Sequence, residues 1–284
     1  MKRFFSIILS LALLAAFSAA LTASASADGT VPFDARTISL TGNGAEFSCK
    51  GVSAEGSIVT ISEPGEYLIT GTLNNGRIII STGASEEKTL VTLSGVSITC
   101  LSDSAIYVAQ AEKVNLYMAE GTENVITSGR EEMLASFSKE NTGAAIYAED
   151  DIDIKGPGVL LVYGYINNGI TCKDDIDIDG GTIIINAANN GIRGSESIEI
   201  NDGNLTVKCG NDALKATSSK VGKGYVEIDG GMIYLQAGGN GISAETDVTV
   251  FGGETVIESK KTPVKANGNI SVTGGSLIAN GEAL

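Results

Sequence analysis

Short runs of alternating apolar and polar residues recur at a nearly constant period through the second half of the chain. Successive repeats begin 24, 22, 22, 28 and 22 residues apart. Their first residues are Ala145, Gly169, Gly191, Ala213, Gly241 and Pro263. Each repeat contains a Gly-Ile type step, a short strand such as Ile176–Ile178, a Gly-Gly corner and a second strand such as Thr182–Ala187. This period predicts a solenoid, because each coil can bury its apolar face only against its neighbours.

Alternation within the strands indicates which side chains point inward. The first strand of each repeat supplies the pairs Ile152/Ile154, Ile176/Ile178, Ile198/Ile200, Val226/Ile228, Val248/Val250 and Ile270/Val272. The second strand supplies a further pair, such as Ile183/Ile185, and the residue after each repeat start supplies a third inward position. We therefore predict an all-β parallel β-helix with three strands per coil of about 22 residues.

The N-terminal residues differ in composition from the rest of the chain. Lys2-Arg3, an apolar run and Ala25-Ser26-Ala27 are typical of a secretory signal peptide cleaved after Ala27, which predicts a secreted or cell-surface protein. We expect one β-helix domain over 28–284, with an N-terminal cap at 28–56, irregular coils at 57–126, an inserted loop at 127–143 and regular coils at 144–284.

Charge and composition narrow the classes of function. The whole chain has a formal net charge of −15, and without Lys2 and Arg3 the charge is −17. Nucleic acid and anionic membranes are therefore poor partners, and membrane insertion is not expected. An acidic polymer would need either a bridging metal or a local basic patch. The chain has no His and no Trp, which removes His-based catalytic triads and His-ligated zinc.

Carboxylates form an outward column between the inward pairs of the first strand. The column contains Asp153, Asp177, Glu199 and Glu227, with Asp150-Asp151 and Asp174-Asp175 beside it. It favours either a solvated acidic face or calcium, which takes carboxylate and carbonyl oxygens as ligands. We include Asp174 and Asp175 among the candidate metal ligands.

A second column lies in the turn before each repeat start. It contains Asn167-Asn168, Asn189-Asn190, Asn211-Asp212 and Gly239-Asn240. Stacked Asn amides are typical of hydrogen-bond ladders, but a carboxylate cannot donate a hydrogen bond. Asp212 therefore needs a cation or backbone N–H groups nearby. We predict a calcium site formed by Asn190, Asn211 and Asp212.

Outward positions of the second strand are candidates for sugar binding. We expect one band with Tyr163, Ile184, Thr206, Tyr234 and Val256, and a neighbouring band with Asn186, Lys208, Gln236 and Glu258. Tyr225 flanks the longer loop at 217–224. Rings with amide and cationic groups at regular spacing suit an extended polysaccharide, although scattered exposed tyrosines are also common. The candidate ligand-binding residues are Tyr163, Tyr225, Tyr234, Lys208 and Gln236.

Several motifs resemble a family of secreted clostridial carbohydrate-binding proteins related to pectate lyases. The motifs are Gly65–Leu73, Gly95–Ile98, Ala144–Tyr147, Gly210–Lys215 and Gly230-Gly231. The resemblance implies a right-handed β-helix, binding of polygalacturonate, pectin and cellulose, and calcium at Asp-rich corners. Related lyase sites favour an Asp-Asp-Gly-Leu-Asp corner, which has acids where this chain has Asn211 and Lys215.

Three functions remain open at this point. The first is a non-catalytic, calcium-assisted polysaccharide-binding protein that is a monomer. The second is a polysaccharide lyase, in which Lys215 or Arg193 would remove a proton from a uronate beside a bound cation. The third is a structural or adhesive repeat module.

Overall fold

The computed structural model describes residues 35–83, 87–132, 143–280 and 282–283, which form β-strands joined by turns. The strands of the N-terminal half are β1 (Arg36–Gly42), β2 (Ala45–Phe47), β3 (Val52–Glu55), β4 (Ile58–Ile61), β5 (Glu66–Leu73), β6 (Arg77–Ser81), β7 (Thr89–Cys100), β8 (Ile106–Gln110), β9 (Lys113–Met118) and β10 (Glu123–Ser128). The next strands are β11 (Ala144–Ala148), β12 (Asp151–Lys155), β13 (Val159–Gly164), β14 (Asn168–Cys172), β15 (Asp175–Ala187), β16 (Ile192–Gly194), β17 (Ser197–Cys209) and β18 (Leu214–Ala216). The last are β19 (Tyr225–Ile228), β20 (Met232–Ala237), β21 (Ile242–Ala244), β22 (Val248–Val250), β23 (Glu254–Ser259), β24 (Val264–Ala266), β25 (Ile270–Val272), β26 (Ser276–Ala279) and β27 (Glu282–Ala283).

These strands form a parallel β-helix with three faces, which confirms the predicted fold class. In the regular coils the first face contains β12, the start of β15, the start of β17, β19, β22 and β25. The second face contains β13, the end of β15, the end of β17, β20, β23 and β26. The third face contains β4, β6, β8, β11, β14, β16, β18, β21 and β24. Strands with the same place in successive coils are thus hydrogen-bonded neighbours.

The inward columns predicted from the sequence form the core. Ile152 pairs in register with Ile176, and the same column continues through Ile198, Val226 and Val248, all of them buried. Ile270, in the same column, is 50% exposed, because no described strand stacks beyond β25 on this face. Stacked aliphatic columns of this kind are the main source of stability in a solenoid, since every coil buries apolar surface against the next.

The Gly-Gly corners allow successive coils to approach closely. Gly231 has a φ of +88°, in the left-handed region, and a Cβ built on it would lie 2.6 Å from the carbonyl oxygen of Gly203 in the preceding coil. A side chain at this position would therefore be both strained and in contact with backbone. The corner between the first and second faces stays narrow for this reason.

The N-terminal part departs from a uniform stack. β1 already pairs in parallel with β5, whereas β2 and β3 pair antiparallel with β1 and β4. β10 continues to Ser128, so regular structure reaches into the segment predicted as an inserted loop. The predicted signal peptide at 1–27, the beginning of the cap and residues 133–142 of that loop lie outside the described residues.

Two further observations concern the described residues. The four cysteines are free thiols, and three of them, Cys100, Cys172 and Cys209, are buried among the apolar columns. Along the same parts of the chain, no helix has the length and apolar character needed to cross a membrane.

Candidate functional site

The outward side chains of the second face lie in two straight columns. Tyr163 pairs with Asn186, which pairs with Lys208, and the column continues to Gln236 and Glu258. The strand pairing therefore places Tyr163, Lys208 and Gln236 on one line along the helix axis. The neighbouring column contains Leu161, Ile184, Thr206, Tyr234 and Val256.

The predicted register of Tyr163 is wrong. The sequence pattern puts it in one band with Ile184 and Tyr234, but its strand partner is Asn186, two positions further along β15. The inward pair Leu160/Val162 is correctly aligned with Ile183/Ile185, and strict alternation then makes Leu161 the outward residue of that band. Tyr163 consequently joins the polar column, which brings it closer to Lys208 than predicted.

The second face presents aromatic rings together with polar and charged side chains. The rings of Tyr163 and Tyr165 are stacked, with centroids 5.5 Å apart and planes inclined by 28°. Burial and a hydrogen bond with Glu258 raise the pKa of Tyr234 to about 12, so its hydroxyl stays protonated at neutral pH. Lys208 is exposed. Together these side chains offer ring surface, hydroxyl groups and one cation, all of which can contact a sugar chain.

The Asn column forms a hydrogen-bond ladder between the second and third faces. The amide Nδ2 of Asn190 donates to Oδ1 of Asn168 at 2.9 Å, and Nδ2 of Asn211 donates to Oδ1 of Asn190 at 3.1 Å. Asp212 continues the ladder as an acceptor: both the backbone N–H and the side-chain amide of Asn240 donate to its Oδ1, at 2.8 and 3.0 Å.

Asp212 is buried, and its second oxygen has a cationic partner within the chain. Its Oδ2 lies 3.2 Å from Nζ of Lys215, and the Asp212 side chain is only 5% exposed. The requirement predicted for this carboxylate, a cation or nearby N–H groups, is thus met by Lys215 and Asn240.

Asp174 and Asp175 lie in an acidic ridge next to the first face, formed with Asp150, Asp151 and Glu196. Burial and the neighbouring carboxylates, Glu196 foremost, raise the pKa of Asp174. Lys223, from the loop that lengthens this coil, lies 2.6 Å from Oε2 of Glu196 and 3.5 Å from Oδ2 of Asp175. The Oγ of Ser197 also donates to Oδ1 of Asp175 at 2.6 Å.

At both predicted calcium positions, a lysine of the protein already pairs with a carboxylate. At the corner, the oxygens of Asp212 are used by Asn240 and Lys215, and at the ridge Lys223 occupies the cationic position between two carboxylates. Over the described residues, no three acidic, Cys or His side chains form a group able to bind a metal. Calcium binding stays a prediction that chelation can test.

The first face contains a lysine enclosed by carboxylates. Nζ of Lys113 lies 2.6 Å from Oδ1 of Asp153 and 2.9 Å from Oδ2 of Asp177. Burial raises the pKa of Asp177 to about 6, although the Lys113 cation acts in the opposite direction. Burial is the largest single influence on Asp153 and disfavours its charged form, but hydrogen bonds from Lys113 and Asp177 and the charges of Lys113 and Lys155 together lower its pKa.

Tyr225 lies on this first face, away from the second-face columns. It is in register with Ser197, and its hydroxyl donates a hydrogen bond to Oε1 of Glu199. Burial, together with that bond, raises the pKa of Tyr225 to about 12. The structure therefore does not bring Tyr225 together with Tyr163, Tyr234, Lys208 and Gln236.

The third face presents a single outward column that we call the third-face row. From β8 to β24 it consists of Tyr107, Tyr147, Thr171, Arg193, Lys215, Ser243 and Lys265, of which Thr171 is only 1% exposed. The two lyase candidates, Arg193 and Lys215, are direct neighbours in this row. Sequence reasoning missed the row as a unit, although six of its members follow the repeat starts by two residues.

Comparison with known proteins assigns the chain to a family. The profile of a family described as "Carbohydrate-binding domain-containing protein" matches residues 55–276. A protein of the same description from Acetivibrio thermocellus is 39% identical over 137 residues, which is 48% of this chain and 48% of that protein. The chain thus spans about half the length of that curated relative. A solved structure, a gadolinium derivative of "the polysaccharide lyase-like protein from C. thermocellum", matches with a TM-score of 0.76 and 31% identity, over 85% of this chain and 99% of the other.

Proposed function

Because the chain belongs to this carbohydrate-binding domain family, we propose that it is a secreted protein that binds a plant cell-wall polysaccharide on its second face without cleaving it. One observation carries the choice of face: Tyr163, Asn186, Lys208 and Gln236 lie on consecutive strands in one column. A polysaccharide lying along the axis would contact ring, amide and cationic groups in turn. Pectin, polygalacturonate and cellulose are the proposed ligands.

Ring stacking supports this assignment. Tyr163 and Tyr165 present two nearly parallel rings at one end of the column, and sugars bind to such surfaces through their apolar faces. The column continues through Lys208 and Gln236, whose amide Nε2 is only 3.4 Å from Oε2 of Glu258. Secretion is supported by the signal-peptide pattern of residues 1–27.

We expect Tyr163→Ala to weaken polysaccharide binding about tenfold, which is typical when a central aromatic contact is removed. The measurement is depletion of the protein from solution by insoluble cellulose and by polygalacturonate gels. Tyr117→Ala is the matched control, because Tyr117 is a partly exposed outward tyrosine of the first face. Equal binding by the Tyr163→Ala and wild-type proteins on both polymers would remove the second face from the proposal.

A second candidate function, polysaccharide lyase activity, is favoured by the structural match to a lyase-like protein and by the adjacent Arg193 and Lys215. Against it, Nζ of Lys215 is engaged by Asp212. Incubation with polygalacturonate decides between the two functions, because β-elimination forms unsaturated products that absorb ultraviolet light. We expect no increase in absorbance with or without added calcium, and a steady increase would make the lyase function the correct one.

A further inference from the structure

We propose that the third-face row is a second binding surface, which holds an extended acidic polysaccharide directly, without a bridging metal ion. This inference rests on the proposed function and adds the site at which a carboxylated sugar chain is recognised. The row is on a different face from Tyr163 and Lys208, so the two surfaces can be altered separately.

The row follows the helix axis on consecutive strands, and one buried position, Thr171 at 1% exposed, separates its ring end from its basic end. Tyr107 pairs with Tyr147, Tyr147 with Thr171, and Thr171 with Arg193, after which Lys215, Ser243 and Lys265 follow on consecutive strands. At the ordinary spacing of about 4.8 Å between strands, it extends about 29 Å. The third-face strands are as short as three residues and present one central outward side chain each, so the row is narrow. A long, narrow row suits a polymer that lies extended along it.

The charges of the row contrast with the rest of the protein. In a chain of net charge −15, the row contains three cations and no carboxylate. Lys215 is paired with Asp212, whereas Arg193 and Lys265 have no carboxylate within salt-bridge distance among the described residues. The side-chain contact found for Arg193 is a hydrogen bond from Nη2 to Oγ1 of Thr217 at 3.4 Å. Both cations are therefore available to carboxylates of a ligand.

The row also offers aromatic surface at its other end. The rings of Tyr107 and Tyr147 lie 5.8 Å apart and are tilted by 54°, and the guanidinium of Arg77 lies over the Tyr107 ring at 5.0 Å. Rings next to guanidinium and ammonium groups can contact both the apolar face of a sugar and its carboxylate. The carboxylates that border this end, Asp103 and Glu149, are each paired with a cation of the protein, Arg77 and Lys173.

An acidic protein can bind an acidic polymer only through a bridging cation or a local basic patch, because their overall charges repel. At both predicted calcium positions, a lysine already pairs with a carboxylate. The third-face row supplies the basic patch. It is therefore the surface on which the chain can hold carboxylated sugars without a metal.

The test compares two double variants that remove the same charge. Arg193→Gln/Lys265→Gln removes the two unpaired cations of the row, and Lys50→Gln/Lys88→Gln removes two exposed lysines elsewhere. Affinity electrophoresis in polygalacturonate, with EDTA and at several salt concentrations, gives the dissociation constants and their dependence on salt. We expect the row variant to bind about tenfold more weakly and with a shallower dependence on salt, and the control variant to bind like the wild-type protein.

Ligand and ring controls complete the design. Fully methyl-esterified pectin has the same backbone without carboxylates, so the row variant and the wild-type protein should bind it equally. Tyr147→Ala should weaken binding of polygalacturonate, and Tyr147→Phe should restore most of it, because the ring rather than the hydroxyl makes the contact. Circular dichroism verifies that each variant is folded.

The outcomes separate this inference from the proposed function. Unchanged binding of polygalacturonate by the row variant, or binding lost in EDTA, overturns the inference while the second-face function stands. A wild-type protein that binds esterified pectin and cellulose but not polygalacturonate overturns it as well. Absence of binding to every polysaccharide overturns the proposed function and this inference together.

Discussion

Replacing Lys215 with methionine is expected to lower the free energy of unfolding by about 3 kcal/mol at neutral pH, because a buried carboxylate loses its cation. Asp212 is 3% exposed, and Nζ of Lys215 lies 3.2 Å from its Oδ2. The backbone and side-chain N–H groups of Asn240 still stabilise Oδ1, which limits the loss. A loss of this size lowers the melting temperature by about 10 °C in a domain of this length. Urea denaturation followed by circular dichroism measures it.

The matched rescue is the double variant Asp212→Asn/Lys215→Met. An asparagine side chain in place of Asp212 can accept from Asn240 through its oxygen, as Asn168 accepts from Asn190 in the same ladder. We expect this variant to recover all but about 1 kcal/mol of the stability. If Lys215→Met alone loses less than about 1 kcal/mol, the ion pair behaves as an ordinary exposed pair and this account of the corner is wrong.

The core of this β-helix was predictable from the sequence because its physics is local and repeated. Ile176 and Ile178 point inward for the same reason as Ile198 and Ile200. The inward positions of one repeat therefore predict those of the next. The predicted strand register is wrong where no further inward aliphatic pair fixes the alignment. Tyr163 stands one position beyond the last inward residue of its strand pair, Val162, so no further aliphatic pair fixed its place in the alignment.

The candidate sites were less predictable, because contacts between coils depend on distances that spacing alone does not give. The sequence predicted that Asp212 needs a positive partner, but the partner proved to be Lys215, only three residues away. Similarly, the acidic ridge suggested calcium, yet the loop that lengthens the coil folds back and places Lys223 against Glu196. Long side chains from neighbouring segments provide the cations. An alignment of the repeats does not show which lysine reaches which carboxylate.

Intramolecular lysines lie at three of the places where carboxylates crowd together in the described residues. Lys113, Lys215 and Lys223 each lie within 3.5 Å of a partly or fully buried acid. At these three places the lysine supplies a counter-charge that lowers the repulsion between stacked carboxylates. Two of the cations left over, Arg193 and Lys265, lie on the third face, where we place the acidic ligand.

Replacing Lys113 with methionine should produce a loss of stability that depends on pH. At pH 7.5 we expect about 3 kcal/mol, because Asp153 and Asp177, whose side chains are 11% and 21% exposed, are left adjacent without their shared cation. The pKa of Asp177 is raised from 3.8 to about 6 in the folded protein. On acidification, Asp177 is therefore protonated in the folded state at a higher pH than in the unfolded state. The stability gained from this protonation is fully present below about pH 4 and is lost as the pH rises through about 6. At pH 5 the loss in Lys113→Met should shrink to about 1 kcal/mol.

Urea denaturation at pH 5 and pH 7.5 provides the measurement, with Lys113→Met/Asp177→Asn as the control. The Asp177→Asn change removes one of the two charges permanently, and the new amide can still donate a hydrogen bond to Asp153, so the double variant should regain stability at pH 7.5 and lose most of the pH dependence. The wild-type protein should itself be more stable at pH 5 than at pH 7.5, because burial also raises the pKa values of Asp151, Asp174 and Glu227. A Lys113→Met loss that is equal at both pH values would show that Asp177 does not take up its proton in this range.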